Sequence, residues 1–263
     1  MATYLDRIVA AHRASAAADD RALGLLRDAA LAAPPPRPFV AALAREGRSG
    51  APAVIAEIKR RSPSKGALAP DLVHAEVARR YEAGGAVALS VLTDAEFFGG
   101  SPADLFEARA ACSLPVLRKD FTVGPRDVLD ARVMGADAVL LIVAALDDDE
   151  LTSLLALAGE LGFDALVEVH DEAEVDRALA AGATLVGVNQ RDLTTFAVDR
   201  DRARALAPRL AGVDVRVAES GIAGPGDVSE LSEAGYDAVL VGEWLITSDD
   251  PASAVGLLVG ARP

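Results

Sequence analysis

The first residues that could do chemistry lie in the stretch Ala56–Gly66, which follows directly on a short apolar run. The run predicts a buried strand, and Glu57 and Lys59 stand two positions apart, so both share one face with Ile55. In a strand that is covered on both faces, burying a carboxylate and an ammonium group costs free energy unless the two form an ion pair or serve a function. This stretch alone favours neither an ion pair that stabilises the strand end nor a functional site.

Similar side chains end other apolar runs further along the chain. Lys119, Glu168 and Glu219 each stand two positions after a core residue of their own run, so they face the same side as that residue. Asn189 follows one more run in the same way. Two lysines, three glutamates and an asparagine converging on one place are hard to explain by stability alone, because their desolvation is costly. We therefore predict a catalytic site.

Other polar residues nearby have a structural interpretation. Four charged residues either face the side of their strand opposite to the core-facing residues or lie in loops. They are therefore expected to form salt bridges that face the helices, and they are Arg60, Arg61, Arg118 and Asp120. Asp192 is expected to cap a turn. His170, directly before Asp171, is interpreted as a loop residue or the neighbour of a helix cap.

Eight apolar runs alternate with Ala-rich amphipathic segments from Ala53 onward. Strands are predicted near Val54–Lys59, Ala86–Val91, Pro115–Lys119, Asp137–Val143, Ala165–Val169, Thr184–Val188, Val213–Glu219 and Asp237–Val241. Helical spacing covers segments such as Asp71–Glu82, Ala103–Ala111, Pro125–Met134, Asp148–Leu161, Asp171–Ala180 and Asp227–Ala234. The glycines that follow many of them suit the position just past a helix, namely Gly84, Gly135, Gly162, Gly182 and Gly235.

These strand–helix units predict an α/β fold, a single (β/α)8 TIM barrel, with its chemistry at the carboxyl ends of the strands. A doubly wound open sheet is the alternative, but residues 59–64 lack the Gly-rich loop that it would favour. Residues 1–48 are predicted to form an N-terminal helical extension that packs on the barrel, interrupted by the stiff segment Pro34–Pro38. Residues 49–263 are predicted to form the catalytic barrel domain.

Two strand ends suggest a phosphate site. Ser220 and Gly221 close the seventh strand, and Gly242 and Glu243 close the eighth. Many barrels hold a phosphate there through backbone N–H groups and a short helix N-terminus, and glycine allows a close backbone approach. Ser62, in the loop after the first strand, could add a hydroxyl donor.

Composition narrows the class of protein. The chain of 263 residues is 51% hydrophobic, and its net charge of 26 − 40 = −14 disfavours nucleic acid and anionic membranes as partners. The single cysteine, Cys112, allows no internal disulfide, which fits a cytoplasmic protein, and we expect it to be a buried filler.

The histidines show no ligand spacing, so no metal is expected. The longest apolar run, Ala138–Leu146, is too short to span a bilayer.

The motifs resemble those of the indole-3-glycerol-phosphate synthase family of tryptophan biosynthesis, in family order over nearly the whole chain. The matching stretches are Ile55–Ser64, Leu92–Asp94 with Phe98–Ser101, Pro115–Phe121, Ala138–Val143, Leu166–His170, Gly187–Leu193 and Ala218–Ile222. The resemblance implies a carboxy-lyase that acts without cofactor or metal. Its expected substrate is a small phosphosugar, 1-(2-carboxyphenylamino)-1-deoxyribulose 5-phosphate, and it is expected to be a monomer or a weak homo-oligomer.

The resemblance also implies roles for the acid and base groups. Lys119 is similar to the family's general acid, which protonates the substrate carbonyl as the ring closes, and Glu168 to the partner acid/base. Lys59 would contact the substrate carboxylate, and Glu57 would hold the lysines and substrate hydroxyls. Loss of such a group typically lowers a rate about 10²–10⁴-fold.

The remaining implied residues bind substrate. Those that would contact the ribulose chain are Asn189 and Glu219, and those that would cradle the phosphate are Ser62, Ser220, Gly221 and Gly242. Phe98, Leu140 and Phe121 would enclose the anthranilate ring, with Arg191 orienting its surroundings. The departures from the family pattern are Phe97, Gln190 and Glu243, of which Glu243 leaves one phosphate donor to the backbone.

Two alternatives stay open. Another phosphosugar barrel, such as phosphoribosylanthranilate isomerase, would share the phosphate site but use a Cys/Asp pair, and Cys112 cannot end the first strand. A binding barrel without turnover is the second alternative, which the presence of both Lys119 and Glu168 disfavours.

Overall fold

Eight parallel strands close into a barrel in the computed structural model, which describes residues 3–47, 50–63 and 65–261. The strands are β1 Ala53–Ile58, β2 Ala88–Leu92, β3 Val116–Lys119, β4 Ala138–Ile142, β5 Asp164–Val169, β6 Leu185–Asn189, β7 Val215–Glu219 and β8 Ala238–Val241. Each strand pairs with its neighbours in sequence, and β8 closes on β1 with Ala238 opposite Ala53. The prediction of a (β/α)8 barrel is confirmed.

Helices cover the outside of this barrel. They are α4 His74–Ala83, α5 Pro102–Ala111, α6 Pro125–Val133, α7 Asp148–Glu160, α8 Glu172–Ala180, α9 Asp201–Leu206, α10 Pro225–Glu233 and α12 Pro251–Val259, with a short α11, Glu243–Ile246, after β8. The predicted segments agree within one turn, whereas the sequence pattern did not single out α9, α11 or α12. Within the described part of the chain, no helix combines the length and apolarity needed to cross a membrane.

The glycines after the helices behave as predicted, with one exception. Gly135, Gly162, Gly182 and Gly235 have positive φ, whereas Gly84 has φ −75° and Gly85 makes the turn with φ 95°. Gly84 is needed for another reason, because a Cβ there would collide with the main chain of Ala252 in α12.

Alternation along the strands produces two apolar layers. Ile55, Leu117 and Leu166 point into the barrel, while Val54 and Val167 pack outward against the helices, and all are fully buried. Because the period is two, the inward parity that fills the barrel continues into the polar side chains at the strand ends.

The N-terminal extension consists of α1 Tyr4–Ala18, α2 Leu23–Ala32 and α3 Phe39–Gly47. Helix α3 lies at the amino ends of the strands, where the main-chain N–H of Val40 donates to Asp164 at 2.9 Å. Helix α2 packs on α6, and α1 reaches the opposite end, where the Tyr4 ring lies 4.9 Å from that of Phe196. The predicted domain boundary falls on residues 48 and 49, which lie outside the described residues, as does Ser64.

Asp137 joins the extension to the amino end of the barrel. It is fully buried and accepts hydrogen bonds from the main-chain N–H groups of Arg37 (2.7 Å) and Val116 (2.9 Å), and from the Arg109 guanidinium (2.9 Å). One carboxylate therefore satisfies donors from three segments, and its removal would leave a poorly solvated cation without its partner.

We expect Asp137→Asn to lower the free energy of unfolding by about 3 kcal/mol, because it removes the negative charge from this buried pair. Urea unfolding at neutral pH measures the loss. The control is Asp237→Asn, since Asp237 precedes β8 and binds Arg216 at 3.0 Å but leaves 24% of its side chain exposed. Its loss should be about 1 kcal/mol or less, and equal losses in the two variants would contradict the argument from burial.

Candidate active site

Every site residue named from the sequence lines one cavity of about 450 Å³ at the carboxyl ends of the strands. These residues are Glu57, Lys59, Ser62, Phe98, Lys119, Phe121, Leu140, Glu168, Asn189, Arg191, Glu219, Ser220, Gly221 and Gly242. The barrel thus brings them together from all eight strand ends and the loops that follow them, while the role of each one stays a prediction.

Lys119 forms the charged centre of this cavity. Its Nζ lies 2.9 Å from Glu168 Oε2 and 3.7 Å from Glu219 Oε2, and both carboxyl groups are almost completely buried. The strand register places the two acidic groups on either side of β6, since Glu168 on β5 lies opposite Gly187 and Glu219 on β7 lies opposite Asn189. A single cation therefore lies between two acidic groups in a place with little solvent.

This environment separates the pKa values of the two carboxyl groups. Burial tends to raise the pKa of Glu168, but the charges of Lys119 and His170 outweigh it and lower that pKa to about 2. Burial and the neighbouring charge of Glu168 raise the pKa of Glu219 well above its ordinary value. Burial tends to lower the pKa of Lys119, but Glu168 and Glu219 more than compensate and raise it. The cavity thus holds an ammonium group between two carboxyl groups, of which Glu168 favours the ionised form and Glu219 is shifted towards the protonated form.

Glu57 and Lys59 form a second pair at the end of β1. Lys59 Nζ donates to Glu57 Oε1 at 2.6 Å, and both side chains are largely buried. Gly242 faces this pair, because a Cβ on it would overlap Glu57 Oε1 and lie 2.9 Å from Lys59 Nζ. The space that Gly242 leaves for the pair is a requirement that the sequence did not reveal.

Gly187 on β6 likewise makes room for a side chain, the carboxyl group of Glu219. A Cβ at this position would collide with Glu219 Oε1 and lie 3.2 Å from the Leu166 side chain. Two glycines of the barrel wall therefore make room for the acidic side chains that project into the cavity.

One wall of the cavity is apolar. The rings of Phe98 and Phe121 lie 6.3 Å apart at an interplanar angle of 35°, and Leu140 is buried beside the cavity. Apolar lining residues that the sequence analysis did not name include Leu92, Ile142, Leu193, Phe196, Leu240 and Trp244. Most of them lie at strand ends or in the adjoining loops, next to residues that the sequence analysis named. That position along the chain was the only sequence signal that they line the cavity.

The loop after β7 has an unusual backbone. Ser220 and Gly221 both adopt the left-handed conformation, with φ 65° and 73°, and Gln190 Nε2 donates to the Ser220 carbonyl at 2.8 Å. This conformation is costly for a residue with a Cβ, so surrounding contacts must hold Ser220 there.

Cations line the same side of the cavity. Arg191 was named from the sequence, whereas Lys65 and Arg200 were not. The Glu243 carboxylate lies 3.4 Å from Lys65 Nζ and 3.9 Å from the Arg191 guanidinium. The positive charges provide an anion site, while Glu243 is a competing anion at its edge.

The structural interpretations of nearby charges are mostly confirmed. Arg60 binds Asp104 of α5 at 2.8 Å, and Arg118 binds Asp120 at 2.8 Å, although Asp120 also lines the cavity and so does not face the helices alone. The expectation of a salt bridge is wrong for Arg61 within the described residues, since its guanidinium donates to the main-chain carbonyl of Glu96 instead.

Two further expectations concern single residues. Asp192 caps its turn as predicted, accepting from the N–H groups of Thr194 (2.7 Å) and Thr195 (2.9 Å). Cys112 is half-buried rather than buried, because it lies at the end of α5, where its thiol donates to the Ala108 carbonyl at 3.4 Å. Burial raises the pKa of the Cys112 thiol, and the residue does not line the cavity.

His12 anchors α1 to the barrel mouth, a contact that the sequence analysis missed. Its Nε2 lies 2.9 Å from Asp94 Oδ2 and 3.8 Å from Asp120 Oδ1. Although these three side chains place potential metal ligands within 4.8 Å of one another, Asp94 already accepts from Phe97 and Phe98 N–H groups, and Asp120 from Arg118. Their contacts make the group a polar anchor.

Comparisons with known proteins agree with the motifs. A family model described as indole-3-glycerol phosphate synthase matches residues 5–258. A protein of Mycolicibacterium vanbaalenii named indole-3-glycerol phosphate synthase is 53% identical over 266 residues, covering 100% of this chain and 96% of the relative. One of Streptomyces coelicolor, named indole-3-glycerol phosphate synthase 2, is 54% identical over 235 residues, covering 89% of this chain and 90% of the relative.

A solved structure gives an independent comparison of the fold. The thiamine phosphate pyrophosphorylase of Pyrococcus furiosus superposes with a TM-score of 0.60 at 19% sequence identity, covering 78% of this chain and 93% of the other. At this identity the likeness concerns the barrel alone.

Gly242→Ala is expected to lower the free energy of unfolding by about 1–3 kcal/mol, because the added methyl group overpacks the Glu57–Lys59 pair. Chemical denaturation measures this cost. Gly226→Ala is the matched control, since a Cβ at that position meets no atom of the described residues within 4 Å. The cost of Gly242→Ala should shrink in a Glu57→Ala background, and an undiminished cost there would contradict the proposed collision.

The His12 anchor predicts a pH-dependent contribution to stability. Burial tends to lower the pKa of His12, but the hydrogen bond to Asp94 and the nearby carboxylates raise it above 6.5. The contribution is therefore complete below pH 6.5 and disappears as the pH rises through the raised pKa. His12→Gln should destabilise the protein more at pH 6 than at pH 8.5 in urea unfolding. The same destabilisation at both pH values would refute a charged anchor.

Proposed function

The chain belongs to the indole-3-glycerol phosphate synthase family, and we propose that its barrel cavity is the site where the indole ring is closed. The enzyme is a carboxy-lyase of tryptophan biosynthesis. It converts 1-(2-carboxyphenylamino)-1-deoxyribulose 5-phosphate to indole-3-glycerol phosphate, CO₂ and water. The single observation that supports the site is Lys119, which lies between Glu168 and Glu219 at 2.9 Å and 3.7 Å.

The first step needs an acid at the substrate carbonyl. As the aromatic carbon that carries the carboxylate attacks the ketone carbon, Lys119 gives its proton to the carbonyl oxygen, which becomes a hydroxyl group. The bond to the carboxylate then breaks, CO₂ leaves, and the electron pair restores the aromatic ring. Lys119 suits this role because its two acidic neighbours keep it protonated until the oxygen develops charge.

The second step removes water. A proton leaves the new five-membered ring while the hydroxyl group departs with another proton, which forms the double bond of the indole. We assign proton removal to Glu168, which Lys119 keeps ionised. The raised pKa of Glu219 favours its protonated form, which can donate to a substrate hydroxyl. Placing a carboxylate and a carboxylic acid side by side serves both halves of a dehydration.

The rest of the cavity fits the two ends of the substrate. The cationic edge formed by Lys65, Arg191 and Arg200, next to Ser220 and Gly221, suits the phosphate, so we place Arg191 there and not beside the anthranilate ring as the resemblance implied. The wall of Phe98, Phe121 and Leu140 suits the anthranilate ring. In this placement Lys59 receives the substrate carboxylate, Ser62 and Gly242 contribute to the phosphate site, Asn189 contacts the ribulose chain, and Glu57 holds Lys59.

We also propose a cytoplasmic enzyme that works as a monomer or a weak homo-oligomer, with no nucleic-acid partner. The net charge of −14 and the single cysteine support the first and last of these points. The isomerase alternative lacks support, because Cys112 lies at the end of α5 and not at the cavity.

The decisive test of function is indole fluorescence after addition of the carboxyphenylamino-deoxyribulose phosphate, with chelator present. The unmodified enzyme should produce a growing signal, and Lys119→Ala and Glu168→Gln should each slow it about 10²–10⁴-fold, since each lacks an acid or base group. Glu230→Gln is a control, because this exposed carboxylate binds Arg204 on the barrel surface.

The possible outcomes distinguish the proposed function of the enzyme from the roles assigned to Lys119 and Glu168. Substrate binding without any product from the unmodified enzyme would favour a binding barrel that has lost turnover. Normal rates in Lys119→Ala and Glu168→Gln would preserve the function and discard the assigned acid–base roles.

A further inference from the structure

His170 stands immediately after β5, beside Glu168. Its side chain is only 12% exposed, and its Nδ1 lies 3.0 Å from Glu174 Oε2 on α8. Its Nε2 lies 3.5 Å from Glu168 Oε1, on the side of that carboxylate opposite Lys119. The imidazole ring thus bridges a helix carboxylate and the carboxylate of the active site.

The two facing atoms depend on each other. Glu168 Oε1 and His170 Nε2 are buried, and neither makes a hydrogen bond among residues 3–47, 50–63 and 65–261, although the two atoms face each other at 3.5 Å. A buried carboxylate oxygen without a donor is costly, so a proton on Nε2 that points towards Glu168 relieves the cost.

The partners also define the protonation state of the ring. An ionised carboxylate only accepts hydrogen bonds, so Glu174 requires a proton on Nδ1 and Glu168 requires one on Nε2. An imidazole ring with protons on both nitrogens is an imidazolium cation. The geometry therefore favours a second positive charge next to Glu168.

We propose that His170 is a positioning residue for the ring-closing reaction: held by Glu174 as an imidazolium, it orients Glu168 and keeps it ionised as the base. This inference rests on the proposed function of the cavity. Glu168 then has one cation at each oxygen, Lys119 at Oε2 and His170 at Oε1.

The charged groups around His170 come from three elements. Glu168 ends β5, Glu174 lies on α8, and Arg202 lies on α9, where its guanidinium donates to the Asn189 carbonyl at 3.0 Å. Burial and the charge of Arg202 lower the pKa of His170, but the hydrogen bond to Glu174 and the charges of both carboxylates outweigh them and raise it.

The first test is the pH profile of kcat for His170→Gln. Glutamine keeps a hydrogen-bond donor but no charge, and loss of a cation near a carboxylate raises the pKa of that carboxylate. The acid limb of the profile should therefore move upward by about one pH unit. Substrate ionisation is the same for both enzymes, so it does not contribute to the difference. A merely structural role would lower the rate equally at all pH values.

Two changes on α8 form a matched pair. Glu174→Gln removes the carboxylate that favours the imidazolium, and it should move the acid limb in the same direction by a smaller amount. Glu172→Gln removes an equal charge from the same helix, but its carboxylate lies 3.3 Å from Arg209 at the surface. Glu172→Gln should leave the limb in place.

A readout without turnover keeps this inference separate from the proposed function. NMR titration of the His170 ring, assigned with His170→Gln, should show a pKa above 6.5 that falls in both Glu168→Gln and Glu174→Gln. The inference would be overturned, even if indole forms, by a His170 ring that is neutral at pH 6 or by a His170 pKa that does not change in Glu168→Gln. Absence of indole with a normal His170 titration would instead overturn the function and leave the bridge.

Discussion

The burial of the Lys119 charge is the constraint on which the rest of the structure depends. An ammonium group with little access to water is costly, and only close opposite charge makes it tolerable. Glu168 provides that charge from β5, and Glu219 adds a second acidic neighbour from β7; both strands are neighbours of β6 and not of β3. A closed barrel is what allows side chains from such strands to meet across its axis. Closure therefore supports the chemistry as well as the fold.

The contacts at the amino ends of the strands stabilise the barrel, whereas the groups suited to chemistry lie at the carboxyl ends. At the amino ends of the strands, α3 and the buried Asp137 bind the extension to the barrel through hydrogen bonds that leave few groups unsatisfied. At the carboxyl ends, charges are crowded, Ser220 adopts a left-handed backbone, and several buried polar atoms lack partners within the described residues. Such local costs are typical of a site that is completed by its substrate.

The N-terminal extension connects these two ends. It begins at the mouth, where Tyr4 contacts Phe97 and Phe196 and His12 binds Asp94, and it ends below the barrel with α3. Since α1 adjoins the loops that carry Phe98 and Phe121, the extension supports the apolar wall of the cavity as well as closing the core.

The sequence alone determined the eight strands, their inward parity and the polar groups at their ends. All of these follow from a period of two along each strand, which is a local property, and the motifs then identified the family. The tertiary structure decided which groups meet and in which protonation state. His12 and Asp94 are 82 positions apart, and the need for glycine at 187 and 242 arises from side chains on other strands. His170 is the loop residue before the Asp171 helix cap, as predicted, but its contacts with Glu174 on α8 and with Oε1 of Glu168 depend on the tertiary structure. Distances across a barrel depend on its closure and on the balance of buried charges, neither of which is encoded in any single stretch of the chain.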